Sequence, residues 1–245
     1  MIEPEHRPAY YSARKPGGLR DWWTILHPPY TAWHLSYVVI GACLAPHVDG
    51  GRLVATLVAF FAAVGVAAHA LDELHGRPLR TEISSRALVV AAALGLAVAV
   101  AIGVVGVVRV GWVLLPFVIV GPVLALAYNL EWFGGFVHTD LGFALSWGAF
   151  PVVTAYVAQT DTVRPAAILA AAAATGLSLA QRALSTPARM LRRRVASVDG
   201  TMVHTDGSTT PITHASLLAP LELTLRALSW SVVGLAAAMA VARLA

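Results

Sequence analysis

The chain has 245 residues, of which 58% are hydrophobic and only 12% are charged, and its mean hydropathy is +0.70. This composition is typical of integral membrane proteins and excludes both an ordinary soluble domain and a disordered chain. The formal net charge is a modest +4, and we expect no nucleic-acid partner. The single cysteine, Cys43, excludes a disulfide within one chain.

Apolar segments recur along most of the sequence, each close to the roughly 20 residues that a helix needs to cross a bilayer. They are too long and too uniformly apolar for barrel strands, so a helical bundle must satisfy the backbone hydrogen bonds. We predict an all-α, polytopic bundle of about seven transmembrane helices, forming one domain over residues 30–245. The predicted spans are 30–46, 52–71, 86–107, 110–129, 140–158, 164–184 and 216–243.

Residues 1–29 form the predicted N-terminal arm. They hold charges, prolines and aromatic residues rather than the short apolar core of a signal peptide, so we expect an interfacial segment. Aromatic side chains favour the headgroup level, which is where we expect Trp22, Trp23, Tyr30 and Trp33.

Basic residues indicate the orientation, because cytoplasmic loops are enriched in lysine and arginine. The predicted spans place most basic residues on one side of the bundle. Only four arginines lie on the opposite side: Arg52, Arg109, Arg164 and Arg243. We therefore expect a prokaryotic-type plasma membrane protein with a cytoplasmic N-terminus and cytoplasmic loops at about 72–85, 130–139 and 185–215. Twelve basic residues lie on the predicted cytoplasmic side: Arg7, Arg14, Lys15, Arg20, Arg77, Arg80, Arg86, Arg182, Arg189, Arg192, Arg193 and Arg194.

The second predicted span ends in the sequence HALDELHGRP, residues 69–78. On a helix, His69, Asp72 and Glu73 share a face, and Gly76 ends the helix. Carboxylate oxygens are hard ligands that suit Mg²⁺, and substrate phosphates often complete the coordination of that ion. Because histidine also binds transition metals, a transition-metal site is a second possibility. The alternative is a solvated helix end with Arg77 and Arg80 as ion-pair partners.

An aromatic and glycine-rich connection follows the fourth predicted span at residues 127–140. It brings Glu131, His138 and Asp140 to the side of the bundle that holds Asp72. The connection could roof a pocket, with aromatic rings packing on an isoprenoid, or it could belong to an interfacial aromatic belt.

Arginines follow the sixth predicted span. Arg182 stands where the helix leaves the bilayer, and the basic run over residues 189–194 could bind phosphate oxygens. Topology or anionic lipid headgroups would explain such a run equally well. Residues 197–214 look like a mobile loop, and beyond them Glu222 and Arg226 are spaced to pair within the last span.

Four features occur in a recognisable order: His27-Pro28-Pro29 before the first span, the acidic motif ending the second, Tyr128 at the exit of the fourth, and the stretch 140–160 with WGAFPV and AYVAQT. In this order and content, the chain resembles the UbiA superfamily of intramembrane prenyltransferases over roughly residues 20–190.

Members of that superfamily bind Mg²⁺ and a prenyl diphosphate at an Asp-rich motif after the second helix, and another Mg²⁺ at a second such motif after the sixth. The resemblance implies that Asp72 is the middle aspartate of the first motif. The place of the second motif, residues 181–194, holds arginines and no acid. The chain also has two helices fewer than the usual nine.

We therefore expect a membrane protein that transfers or handles an isoprenoid diphosphate, with arginines contacting the diphosphate in place of a second Mg²⁺. Two alternatives stay open: a lipid- or isoprenoid-binding protein without that catalysis, and a histidine-rich metalloprotein, for which only His69 and His75 are closely spaced. The expected site residues are catalytic Asp72, Glu73 and Asp140; substrate-binding His69, Tyr128, Arg182, Arg189 and Arg192; and the Mg²⁺ ligands Asp72 and Glu73.

Overall fold

A computed structural model describes residues 8–13 and 17–244. Three of the basic residues used to predict the orientation, Arg7, Arg14 and Lys15, lie outside this part. The fold is an all-α bundle with one small hairpin. Its elements are α1 (Leu19–Ile25), α2 (Pro28–Cys43), α3 (Gly50–Leu74), α4 (Ser85–Val110), α5 (Trp112–Asn129), α6 (Asp140–Thr160), α7 (Pro165–Arg194), β1 (Thr201–Val203), β2 (Thr209–Pro211) and α8 (His214–Leu244).

Six of these helices, α3 to α8, are long and apolar enough to cross a membrane. The first predicted span, 30–46, corresponds to α2, which has only 16 residues and is therefore about 24 Å long at 1.5 Å per residue. Helix α4 exposes Val90, Leu94, Val105 and Val108 along its length. A surface of this kind is stable against lipid rather than water, which supports contact between the bundle and a bilayer.

Helix α7 corrects one predicted boundary. The loop expected to begin near residue 185 begins only after Arg194, because the helix continues past Pro187. Buried Ala188 and Leu191 pack there against Leu218 and Leu225 of α8, and this contact favours ten further residues of helix over a loop. At residues 201–211, within the segment predicted to be a mobile loop, β1 and β2 pair as an exposed antiparallel hairpin.

The core of the bundle surrounds α2. Trp33 and Tyr37 are almost completely buried against α6, α7 and α8, where the Trp33 indole donates to the Tyr37 hydroxyl at 2.6 Å. Trp33 was expected at the headgroup level, and the structure places it in the core instead. Helices α6 and α7 approach closely because Gly148 has no side chain: a Cβ there would lie 2.6 Å from the Ser178 hydroxyl.

Two of the helices able to cross a membrane contain π-helical segments, at Phe61–Ala68 in α3 and at Leu145–Ala149 in α6. Such segments are rare and occur often at functional sites, because the wider turn redirects side chains. Val64 and Trp147, one from each segment, belong to the same buried cluster in the middle of the bundle. The two irregular segments therefore meet inside the protein.

Candidate functional site: a polar cavity beside an apolar cavity

A polar cavity of about 280 Å³ lies where six helix ends meet. The starts of α2, α6 and α8 and the ends of α3, α5 and α7 surround it, so the chain direction alternates through the bundle. Four guanidinium groups and two carboxylates are among its lining groups. These charged residues are Arg182, Arg189, Arg192, Arg193, Asp72 and Glu222.

Asp72 and His69 lie in the last turns of α3, which ends before Gly76 in a left-handed conformation (φ 89°). Both side chains line the polar cavity. Within the described residues, the Asp72 carboxylate makes no hydrogen bond or ion pair, while Arg193 and Arg189 act on it electrostatically. The His69 ring stacks on the His27 ring with centroids 4.4 Å apart.

The structure does not bring Glu73 into the cavity. Its carboxylate is fully buried and accepts hydrogen bonds from the backbone amides of Leu79 and Thr81, each at 2.9 Å, and from the Thr81 hydroxyl. Successive helical residues point about 100° apart, so Asp72 and Glu73 face different surroundings. Glu73 therefore closes the loop after α3, and its role as a Mg²⁺ ligand beside Asp72 stays a prediction.

The arginines of α7 differ in their partners. Arg182 donates to Asp140 at 2.8 Å and lies over the Phe143 ring, while Arg192 binds both carboxylate oxygens of Glu222. Glu222 also forms the predicted ion pair with Arg226, at the longer distance of 3.8 Å.

Arg189 and Arg193 differ from these two because no ion pair with a carboxylate joins them among the described residues. Arg189 donates only to the Thr186 hydroxyl, at 3.3 Å, and Arg193 to the backbone carbonyl of Pro8, at 3.1 Å. Two guanidinium groups at the cavity therefore lack an anionic partner in this part of the chain.

The connection between α5 and α6 contributes unevenly to the site. Tyr128 and His138 line the cavity with their rings stacked 4.5 Å apart. Asp140 reaches the site through its ion pair with Arg182. Glu131 lies outside, 3.9 Å from the imidazole of His75, and the side chain of Phe133 is 84% exposed.

Several polar atoms buried at this cavity have no hydrogen-bond partner among the described residues: the Tyr10 hydroxyl, His27 Nε2, Gln181 Oε1 and the Ser185 hydroxyl. Gln181 and Ser185 are 4% and 1% exposed. A buried polar atom without a partner costs about 1–3 kcal/mol. Four of them at one cavity indicate that a ligand or water completes the site.

An N-terminal segment, residues 8–13, roofs the cavity. Tyr11 shares a hydrogen bond with His27, and Arg226 lies 4.6 Å from the centre of the Tyr10 ring. Burial raises the pKa of the Tyr11 phenol well above its usual value and lowers the pKa of the His27 imidazole well below its own. Both groups are therefore neutral at neutral pH. We did not predict that this segment covers the cavity, because Tyr10 and Tyr11 belong to no recognisable sequence motif.

A second, apolar cavity of about 980 Å³ adjoins the polar one. It lies among α3, α4, α5 and α6 and runs from the middle of the bundle to the end opposite the arginines of α7, where Arg52 and Arg109 line it. Val64 and Trp147 line both cavities. The wall between a cationic chamber and an apolar one therefore consists partly of these two side chains.

Most acidic groups around the polar cavity bind other groups of the protein. Among residues 8–13 and 17–244, no three His, Cys, Asp or Glu side chains converge in a way that would hold a metal ion. Asp140 and Glu222 bind arginines, and Glu73 binds backbone amides, so Asp72 is the one carboxylate in this set without such a bond. This donor set does not fit a multi-carboxylate Mg²⁺ site.

No family model, no curated protein and no solved structure matches this chain. The chain's likeness to the UbiA superfamily therefore stays a prediction from its motifs. What the structure itself establishes is an all-α bundle with six helices able to cross a membrane and two adjoining cavities.

Proposed function

We propose that this membrane protein binds an isoprenoid diphosphate, with the diphosphate in the polar cavity. The observation that carries the proposal is that Arg189 and Arg193, without carboxylate partners in the described chain, face a buried cavity that also holds unpartnered polar groups. The adjoining apolar cavity supports an amphiphile over a free phosphate.

Electrostatics favour an anion in this position. A cation taken out of water is costly unless an opposite charge compensates it. Guanidinium groups match phosphate oxygens with paired, charge-assisted hydrogen bonds, each roughly twice as strong as a neutral one. Arg182 and Arg192, held by Asp140 and Glu222, would fix the edges of the site. His69 and Tyr128 would contact the ligand from the opposite wall.

Transfer of the isoprenoid is the activity that we propose for this site, in keeping with the resemblance to intramembrane prenyltransferases. The bond between the first isoprenoid carbon and the diphosphate oxygen would break, and the electron pair would leave with the diphosphate. A new bond would form to an acceptor, whose proton Asp72 would take. Arginines would stabilise the charge that develops on the leaving diphosphate. Mg²⁺ with Asp72 as its one protein carboxylate stays a prediction, as does the cytoplasmic position of the cavity.

Glu73 favours a second candidate, isoprenoid binding without transfer. Its carboxylate is committed to Leu79 and Thr81, so Asp72 is the one carboxylate among the described cavity residues that could hold Mg²⁺ without giving up a bond to the protein. A binding protein would use the same arginines and would have no need of the metal. The two candidates differ in turnover and in Mg²⁺ dependence.

Binding of farnesyl diphosphate to the purified protein in lipid nanodiscs tests the proposal, with farnesol as the uncharged comparison. We expect Arg189→Gln to weaken binding of the diphosphate about tenfold or more, the effect of losing a charged hydrogen bond of roughly 1.5–3 kcal/mol. Arg194→Gln is the matched control, because Arg194 is exposed on the same helix and does not line the cavity.

Equal binding by wild type and Arg189→Gln would contradict the proposal, as would equal affinity for farnesol and farnesyl diphosphate. Repeating the measurement with Mg²⁺ and with a chelator separates the two candidates. For transfer, Asp72→Asn should abolish turnover while the protein still inserts and binds, and retained turnover would remove Asp72 from the mechanism.

A further inference from the structure

We infer that His27 donates a hydrogen bond from its Nε2 atom to a phosphate oxygen of the ligand, and that Tyr11 of the N-terminal segment holds His27 in the tautomer that can donate. The inference rests on the proposed function for the identity of the ligand. It adds a binding residue outside the predicted set and gives the N-terminal segment a part in ligand binding.

The backbone of His27 is the first observation. His27 precedes Pro28 and has the left-handed angles φ 46° and ψ 55° at the start of α2. Such angles are uncommon for a residue other than glycine, and a following proline favours extended angles instead. Strained conformations of this kind cluster at ligand sites, and His27 lines the polar cavity.

The hydrogen bond between Tyr11 and His27 decides where the imidazole carries its hydrogen. The Tyr11 hydroxyl meets His27 Nδ1, which is its one hydrogen-bond partner within residues 8–13 and 17–244. Burial raises the pKa of the phenol, so the hydroxyl keeps its hydrogen. If Nδ1 donated, that hydrogen would have no acceptor in this part of the chain. The phenol therefore donates to Nδ1, and the hydrogen of the neutral imidazole lies on Nε2.

His27 Nε2 is consequently a donor that lacks an acceptor. The atom is buried at the polar cavity and has no hydrogen-bond partner among the described residues. Stacking on the His69 ring, with centroids 4.4 Å apart, fixes the plane of the imidazole. Leaving a buried donor unpaired is costly, and a phosphate oxygen would supply the missing acceptor.

The surrounding charges favour an anion as that acceptor. Burial, His69 and the guanidinium groups of Arg193 and Arg189 lower the pKa of His27, so the imidazole stays neutral. The same two arginines have no ion pair with a carboxylate in the described chain. An anion that they attract would meet in His27 a neutral donor that is already oriented, and the contact would need no protonation of the imidazole.

Binding of farnesyl diphosphate to variants in nanodiscs tests the inference. His27→Phe should weaken binding about tenfold, the effect of losing one hydrogen bond to a charged group. His27→Gln should keep most of the affinity, because its side-chain amide also donates. His75→Phe is the matched control, because His75 is exposed just beyond the end of α3 and does not line the cavity.

Tyr11→Phe separates contact with the ligand from closure of the cavity. Like His27→Phe, it removes the hydrogen bond that ties the N-terminal segment to His27, but it keeps Nε2. We expect it to weaken binding only about twofold, because a free imidazole still spends about half of its time or more in the Nε2–H tautomer. An equal loss in Tyr11→Phe and His27→Phe would mean that His27 only holds the segment in place, and would overturn the inference.

Nitrogen NMR of the protein with isotope-labelled histidine reads the tautomer and does not depend on the folding of His27→Phe. The signals of His27 are those that His27→Gln lacks. We expect the Nε2–H tautomer, with an Nε2 signal that shifts when farnesyl diphosphate is added and stays in place with farnesol. A hydrogen on Nδ1, or an Nε2 signal that bound diphosphate does not move, would overturn the inference. The Nε2–H fraction should fall in Tyr11→Phe, and an unchanged fraction would refute the role given to Tyr11.

Failure of this inference differs from failure of the proposed function. If wild-type protein does not bind farnesyl diphosphate, the proposed function fails. If wild-type protein binds it and Arg189→Gln weakens the binding while His27→Phe matches wild type, the diphosphate site is retained and His27 is removed from it.

Discussion

Two adjacent acidic residues at the end of α3 have different roles, although the sequence presents them as a pair. Asp72 faces the polar cavity, while Glu73 accepts three hydrogen bonds from the loop that follows. Helical spacing correctly brought His69 and Asp72 to one wall. It could not predict the partners of Glu73, because Leu79 and Thr81 reach it only after the chain has turned back.

We expect Glu73→Ala to lower the free energy of unfolding by about 2–4 kcal/mol, because two backbone amides and a hydroxyl would lose a charged acceptor. SDS unfolding of the purified protein followed by tryptophan fluorescence measures the loss. Glu82→Ala is the control, since Glu82 is exposed in the same loop. Unchanged stability together with lost diphosphate binding would instead return Glu73 to the binding site.

At the scale of elements, α7 carries more of the site than the sequence indicated. We predicted Arg182, Arg189 and Arg192 as contacts to a diphosphate, and the structure brings all three to one cavity. The prediction placed Arg189 and Arg192 in a loop after the sixth span. Packing of Leu191 on α8 and the bond between Arg192 and Glu222 favour helix instead. Such tertiary contacts are not visible in local spacing.

The N-terminal segment is the element whose role can be tested most directly. In a Cys43→Ser background, Ser185→Cys places a thiol inside the polar cavity. A water-soluble maleimide should label this thiol about tenfold faster after residues 1–13 are deleted. A tenfold change corresponds to roughly 1.4 kcal/mol, the free energy that we expect the segment to contribute to covering the cavity. Tyr11→Phe, which loses only the hydrogen bond to His27, should give a smaller increase.

Labelling of Ser208→Cys in the same background serves as the control, because Ser208 is exposed on the hairpin and should react equally in both forms. If the deletion leaves the Ser185→Cys rate unchanged, residues 8–13 do not limit access to the cavity.

At the scale of the whole molecule, composition predicted the fold class, and the structure confirms an all-α bundle with six helices able to cross a membrane. The cavities were not predictable, because they depend on how helices distant in sequence pack. Val64 and Trp147 are 83 residues apart and carry no motif, yet they line the same wall.

The predicted orientation in the membrane rests on the arginine distribution and can be measured in intact cells. In the Cys43→Ser background, we expect an impermeant maleimide to label His47→Cys, at the end away from the arginine cavity, and to spare Ser208→Cys until the membrane is opened. Both positions are exposed, so accessibility within the protein does not bias the comparison. Labelling in the reverse order would contradict the predicted cytoplasmic N-terminus.

Because α7 is one continuous helix, the polar groups that it contributes to the cavity keep fixed distances from one another along the helix axis. Gln181, Ser185, Arg189 and Arg192 lie on one helix, so the first and last of them are separated by about 16 Å along its axis. A thicker or thinner bilayer would tilt this helix and move all four groups together relative to the headgroups. Ligand affinity should therefore vary with membrane thickness, which nanodiscs of short- and long-chain lipids would reveal.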